Sequence, residues 1–274
     1  MNLDSGFQNS AAAIHIVKDI EKSITTIRRP VRLMEVCGTH TVALRRHGIH
    51  SLLPDSIRLI SGPGCPVCVT PAGYIDNALA LVEKHGCIVA SFGDMVKVPG
   101  SDGRTLSSHL GSGRVRILYS PSELPELCKA TEAPVVFLAI GFETTIPVVV
   151  AGLKKAIDEG WTNIFLYTAF KTVPPALQFL LSDSSHNLDG FILPGHVSII
   201  IGETGYKFLA DEIAGVITGF EPLDMLAGLR ALLLQVEAGI RRIENEYPRA
   251  VRPDGNPRAR DIIAEYLEPA DAGW

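Results

Sequence analysis

"PVVFLAIGFETT" (134–145) runs through nine residues without a charge before reaching Glu143. A strand with one wet face alternates apolar and polar side chains, whereas an unbroken apolar run bounded by proline and glycine fits a strand covered on both faces, as in a parallel sheet clothed by helices. Thr144 and Thr145 then offer hydroxyls suited to a helix start. Outward from this stretch the same pattern repeats. "VRLMEVC" (31–37), "IRLISG" (57–62), "CIVASFG" (87–93) and "RVRILYS" (114–120) precede it, and "NIFLYTAF" (163–170), "DGFILPG" (189–195) and "AGVITGF" (214–220) follow. Between them lie helical patterns such as "GYIDNALALVEKHG" (73–86), where Ile75, Leu79 and Val82 share a face and Gly86 suits the left-handed residue that ends a helix.

Strand, loop, helix, strand is the pattern of βαβ units with right-handed crossovers. The expectation is an α/β fold of two similar domains, each a mainly parallel, Rossmann-like sheet flanked by helices. Their expected bounds are 1–128 and 129–247, joined by a connecting helix in "SPSELPELCKATEAP" (120–134), with 248–274 as a linker or tail. A long helix is expected over 223–247, ending before Pro248.

Hydrophobic residues make up 46% and charged residues 20% of the 274, enough apolar material to offset chain entropy and to exclude disorder. The net charge is −5, and the pairs Arg28-Arg29, Arg45-Arg46 and Arg241-Arg242 are scattered among acids rather than gathered in a stripe, which speaks against nucleic acid as a partner. The N-terminus lacks a basic segment followed by an apolar core, and no apolar run reaches the ~18–20 residues of a membrane span. The expectation is a soluble, cytoplasmic protein with no membrane partner. In a reducing compartment its five cysteines are ligands, nucleophiles or core residues before they are structural bridges. There is no G-x-G-x-x-G after the first strand, no G-x-x-x-x-G-K-[ST] and no G-x-S-x-G.

Ligands of parallel α/β sheets bind outside the carboxyl ends of the strands, and the unusual residues of this chain collect in the segments that follow its strands. In "CGTHT" (37–41) Cys37 stands at a helix start, where the helix dipole favours a thiolate, with Gly38, Thr39 and His40 beside it. The alternative is a small buried cysteine with Thr39 as helix cap. In "GPGCPVC" (62–68) Cys65 and Cys68 are spaced for a redox dithiol, half a metal site or a tight turn. "GDMVK" (93–97) supplies Asp94 and Lys97, and "FKTVPP" (170–175) supplies Lys171, as ligand-orienting groups or solvated loop charges. "GFETT" (141–145) supplies Glu143 and Thr144, as site residues or as a helix cap, and "PGHVS" (194–198) supplies His196. Cys87 and Cys128 are read as core.

Taken in order, "MEVCGTHT", "GPGCPVCVTP", "FGDMVKVPG", "IGFETT" and "PGHVS" resemble the HypD family of [NiFe]-hydrogenase maturation proteins, over about residues 30–245. The resemblance implies an assembly scaffold. By that resemblance it would pair with a HypC-type chaperone, hold iron while the Fe(CN)2CO unit forms, accept cyanide from a HypE-type partner that carries it as a thiocyanate, and pass the unit towards the hydrogenase large subunit. It implies Cys37 as the iron-binding thiolate with His40 assisting, and Cys65 and Cys68 as a dithiol that supplies electrons. It also implies that Glu143, Thr144 and His196 line the same cleft from the second domain. Members of the family usually carry a [4Fe-4S] cluster on C-terminal cysteines, and no cysteine follows Cys128 here. The competing readings are a stand-alone CxxC thiol oxidoreductase and a zinc-stabilised binding module that joins Cys37 and His40 to Cys65 and Cys68.

Overall fold

The computed structural model describes residues 10–183 and 185–270. In chain order its helices and strands are α1 (Ser10–Ile27), β1 (Val31–Glu35), α2 (Gly38–Arg46), β2 (Ile57–Ser61), α3 (Ala72–Glu83), β3 (Ile88–Ser91), β4 (Val115–Ile117), α4 (Leu124–Lys129), β5 (Val135–Gly141), α5 (Ile146–Asp158), β6 (Ile164–Phe170), α6 (Val173–Ser182), β7 (Gly190–Pro194), α7 (Gly195–Ile201), β8 (Ala214–Thr218), α8 (Pro222–Ala238), β9 (Ile243–Asn245) and α9 (Pro257–Tyr266). All eight expected strands form, and they join two parallel sheets: a five-stranded sheet ordered β2-β1-β7-β8-β9 and a four-stranded sheet ordered β4-β3-β5-β6. The α/β fold class read from the sequence is the observed one.

β5 explains the opening stretch. All seven of its residues are buried. Val135, Phe137 and Ala139 pack with Leu124 of α4 and Val149 of α5, while Leu138 and Ile140 pack with Ile75 and Leu79 of α3. Helices cover both faces, so no position along the strand tolerates a polar side chain. Its register with β6 runs unbroken from Val135 opposite Ile164 to Gly141 opposite Phe170. In the other sheet the core forms where α1 and α8 lie against β1 and β8, around Ile20, Leu33, Val216, Leu229 and Leu232.

The grouping of strands corrects the expected boundaries. One compact unit holds the chain up to Cys65 together with Val173–Pro257, and the other holds Pro66–Thr172 and the chain from Arg258. β7 and β8, expected beside β5 and β6, join the other sheet instead: β7 pairs with β1 and β8 with β7. The helix expected to connect two domains, α4, lies inside the second unit between β4 and β5. Continuous apolar strands announce burial on two faces but carry no mark of their neighbours, so consecutive halves were the default reading and the interleaving was invisible. The expected long helix also stops early. Gly239 adopts φ 66° at the C-terminal cap of α8, and Ile243–Asn245 then joins the first sheet as β9. The expected tail is ordered in part: Val251 is buried and α9 belongs to the second unit.

Each sheet reverses its strand order once, at β1/β7 in the first and β3/β5 in the second. These are the points where helices depart to opposite faces and leave a crevice beyond the carboxyl ends of the strands. The segments after β1 and β7 carry Cys37 and His196, and those after β3 and β5 carry Asp94 and Glu143.

Candidate functional site

In the first unit, β1 ends at Glu35 and α2 begins at Gly38, so Cys37 is the N-cap residue with extended backbone (φ −114°, ψ 127°). Its carbonyl accepts the amides of His40 at 3.0 Å and Thr41 at 3.3 Å. Its thiol makes no capping hydrogen bond, carries no disulfide and is half-buried. Thr39, an alternative cap in the sequence, lies exposed within the first turn. The sulfur at the head of α2 is therefore a half-buried thiol not committed to the fold.

The segment after β2 comes against this helix start through two glycines. A Cβ added to Gly64 would lie 2.2 Å from the Gly38 nitrogen and 3.0 Å from the Cys37 carbonyl carbon, so the backbones touch where no side chain fits. The Gly62 amide donates to the Glu35 carbonyl at 2.8 Å. Cys65 is thus delivered beside the Cys37 turn by a loop that glycine alone permits. Cys65 and Cys68 are disulfide-bonded, and Cys68 is exposed. Thr70 closes the turn with its hydroxyl on the Pro66 carbonyl at 2.8 Å. In this state neither sulfur of the pair is a free thiolate.

His40 is fully buried. Its Nε2 lies 3.1 Å from the Gly219 carbonyl; a carbonyl only accepts, so Nε2 carries the proton and Nδ1 the lone pair. Nδ1 is buried and has no hydrogen-bond partner among the described residues. Burial pushes the pKa of His40 down to about 4, against the opposing pull of the Gly219 and Thr218 carbonyls and with a small push from His196. The ring stacks on Phe220 at 4.4 Å, and His196, exposed after β7, stacks on the same phenyl at 4.1 Å. Partial desolvation holds His196 below the ordinary histidine value as well. Both imidazoles are neutral at pH 7, and Phe220, which no sequence motif singled out, holds them in one stack.

Glu35 is a second residue that sequence reading passed over. It is 1% exposed, accepts the Thr41 hydroxyl from the first turn of α2, and lies 3.8 Å from His50. It ties the end of β1 to the helix that Cys37 caps. Its signal was present in "MEVC", a carboxylate inside an apolar strand, and such a group is rarely buried without a partner.

In the second unit, Glu143 is 4% exposed in the turn between β5 and α5. Thr145 is the N-cap of α5 without a side-chain hydrogen bond, and Thr144 is half-buried. Asp94 is a cap: its carboxylate accepts the Met95 amide at 3.0 Å at the head of a 3-10 turn. Lys97 is exposed at the end of that turn. Lys171, after β6, is 8% exposed, and its amide donates to Gly141 at 3.0 Å. Cys87 and Cys128 are buried as expected, and burial pushes the Cys128 thiol up. Among the described residues, no group of three or more His, Cys, Asp and Glu side chains is arranged to hold a metal ion, and the thiols present do not fit the four-thiolate demand of a [4Fe-4S] cluster.

Comparison with known proteins gives a consistent result. The HypD family model, described as "Hydrogenase formation hypA family", matches residues 11–274. The hydrogenase maturation factor HypD of Escherichia coli (strain K12) is 40% identical over 255 residues, covering 91% of this chain and 68% of its own length. HypD2 of Bradyrhizobium diazoefficiens is 39% identical over 275 residues, 97% of this chain and 72% of its own, and HypD of Rhizobium leguminosarum bv. viciae is 39% identical over 266 residues, 92% and 69%.

Proposed function

Since the chain belongs to the HypD family, we propose that this hydrogenase maturation factor is a cytoplasmic scaffold on which iron acquires its cyanide and carbon monoxide ligands, in complex with a HypC-type chaperone. The observation that carries the reading is Cys37: a half-buried thiol, unused by the fold, at the head of a helix and at the strand-order reversal of its sheet. A thiolate is a soft donor, suited to low-spin iron that carries cyanide and carbon monoxide. The iron is cargo. It takes one thiolate from Cys37 and further ligands from the chaperone, and His40 and His196 stand as neutral imidazoles in the same unit.

Cyanide arrives from a HypE-type partner as a thiocyanate, R–S–CN. Releasing it as cyanide requires two electrons at the S–C bond, which the reduced pair supplies. The Cys65 and Cys68 thiols lose two electrons and two protons and become the disulfide; the carrier takes one proton as its thiol, and cyanide leaves to iron with one proton released. Each cyanide consumes one dithiol, so an external two-electron donor regenerates the pair between transfers. Glu143, Thr144 and Lys97 are assigned to the second unit's strand-order reversal as groups that orient incoming ligands, with Asp94 capping the turn that carries Lys97. The finished Fe(CN)2CO unit moves on to the hydrogenase large subunit.

The exposed disulfide also suits a stand-alone thiol oxidoreductase, and iron separates the two readings. Coexpressed anaerobically with a HypC-type chaperone, the chain copurifies with it and carries iron, and Cys37→Ala keeps the complex but loses the iron. Turnover of a dithiol substrate with neither chaperone nor iron bound would replace the scaffold with the oxidoreductase.

A further inference from the structure

The scaffold reading leaves unexplained how a buried histidine keeps one ring nitrogen unpaired. The turn that accepts the His40 Nε2–H is itself held from outside. Gly219 is so closely covered that an added Cβ would lie 2.1 Å from Asp224 Oδ2 and 2.8 Å from Tyr247 Cε2. The Thr218 hydroxyl donates to the Asp224 carbonyl at 2.6 Å, pinning the preceding residue to the start of α8. Asp224 is in turn gripped by Arg249 through both carboxylate oxygens, with Nη1 at 2.8 Å from Oδ1. The same guanidinium sits 4.6 Å above the Tyr247 ring, and that ring covers Gly195, the neighbour of His196. Arg249 thus touches both residues that press on the 219 turn, while lying in a segment the sequence presented as linker.

We propose that Arg249 and Asp224, with Tyr247, are positioning residues: they clamp the Gly219–Phe220 turn so that its carbonyl fixes His40 as the Nε2–H tautomer and leaves the buried Nδ1 lone pair unpaired. The two-pronged arginine contact supplies the geometry. A carboxylate packed on a glycine Cα has one place to sit, and a guanidinium fork fixes its plane in a way that a lysine point charge does not. Partners that orient a histidine from behind set which nitrogen is offered, and losing one typically weakens metal binding by about 10- to 100-fold. That last consequence rests on the scaffold reading; the tautomer does not.

The test is made on the iron-free chain with 15N-histidine labelling, the His40 resonances being identified by their loss in His40→Gln. Wild type shows a protonated Nε2 and a bare Nδ1 at His40. In Arg249→Ala and Asp224→Asn the Nδ1 signal moves towards the averaged position of a ring free to exchange tautomers, while circular dichroism stays that of the folded chain. Arg249→Lys, which retains the charge without the fork, shows the same shift and decides the matter if Arg249→Ala does not fold. An unchanged His40 signature in folded Arg249→Lys and Asp224→Asn overturns the clamp. A second arm measures iron in the complex with the HypC-type chaperone. A 10- to 100-fold weaker hold in Arg249→Lys extends the clamp to the iron. A shifted tautomer with iron binding untouched upholds the clamp and removes His40 from the scaffold reading, and iron retained by Cys37→Ala refutes that reading while leaving the tautomer result standing.

Discussion

Lowering the pH from 7 to 5 should weaken the fold through His40. Folding holds its pKa near 4, against an ordinary value of 6.5. Between those values the unfolded chain binds a proton that the folded chain refuses, so stability is full above pH 6.5 and falls as pH drops towards 4. With the two pKa values entered, the loss between pH 7 and pH 5 is about 2 kcal/mol, out of a total shift worth about 3 kcal/mol. The cause is the dry pocket between Phe220 and the 219 turn, where an imidazolium would be stripped of water with one nitrogen unpaired. Urea unfolding of wild type and His40→Gln at the two pH values isolates the effect, because the glutamine amide still reaches the Gly219 carbonyl but does not titrate. Wild type should lose about 2 kcal/mol more than the variant. Equal losses in the two proteins, or an NMR titration of His40 centred near 6.5, would refute the argument.

Other consequences are simpler to read. Gly64→Ala forces a methyl into the Cys37–Gly38 backbone and should cost about 1–3 kcal/mol while displacing the Cys65 loop; Gly73→Ala, where an added methyl meets nothing within 4 Å, should be neutral or stabilising by up to about 1 kcal/mol, and thermal melts of the pair check the contrast. A thiol reagent should modify Cys37 in the oxidised native chain, Cys65 and Cys68 as well after mild reduction, and Cys87 and Cys128 only on unfolding, as peptide mass spectrometry would show. Asp94→Ala should lose about 0.5–2 kcal/mol with its cap, and Asp94→Asn much less, by urea unfolding.

The strands were legible because they are mainly apolar runs, and β5, buried at every position, is the extreme case. Their neighbours were not, since nothing along "DGFILPG" says that it lies beside Leu33 rather than beside Ile164. β9 was hidden inside a helical pattern that Gly239 cuts. Among the candidate residues of each unit, types with few structural uses stood out: the cysteines, His40 and His196, and Glu143. Residues acting through shape or backbone contact did not, so Phe220 looked like any core phenylalanine and Arg249 like a solvated charge in a polar tail. Glu35 lay between the two, readable as an anomaly but without an assignable partner until the Thr41 hydroxyl was found beside it.

The most direct test of the central claim is the infrared spectrum of the chain purified anaerobically with a HypC-type chaperone from cells supplying the HypE-type cyanide donor. The account predicts cyanide and carbon monoxide bands of one iron unit in wild type and their absence in Cys37→Ala, with the complex intact in both. The same bands surviving in Cys37→Ala would contradict it, because the iron would then be held without the thiol on which the scaffold is built.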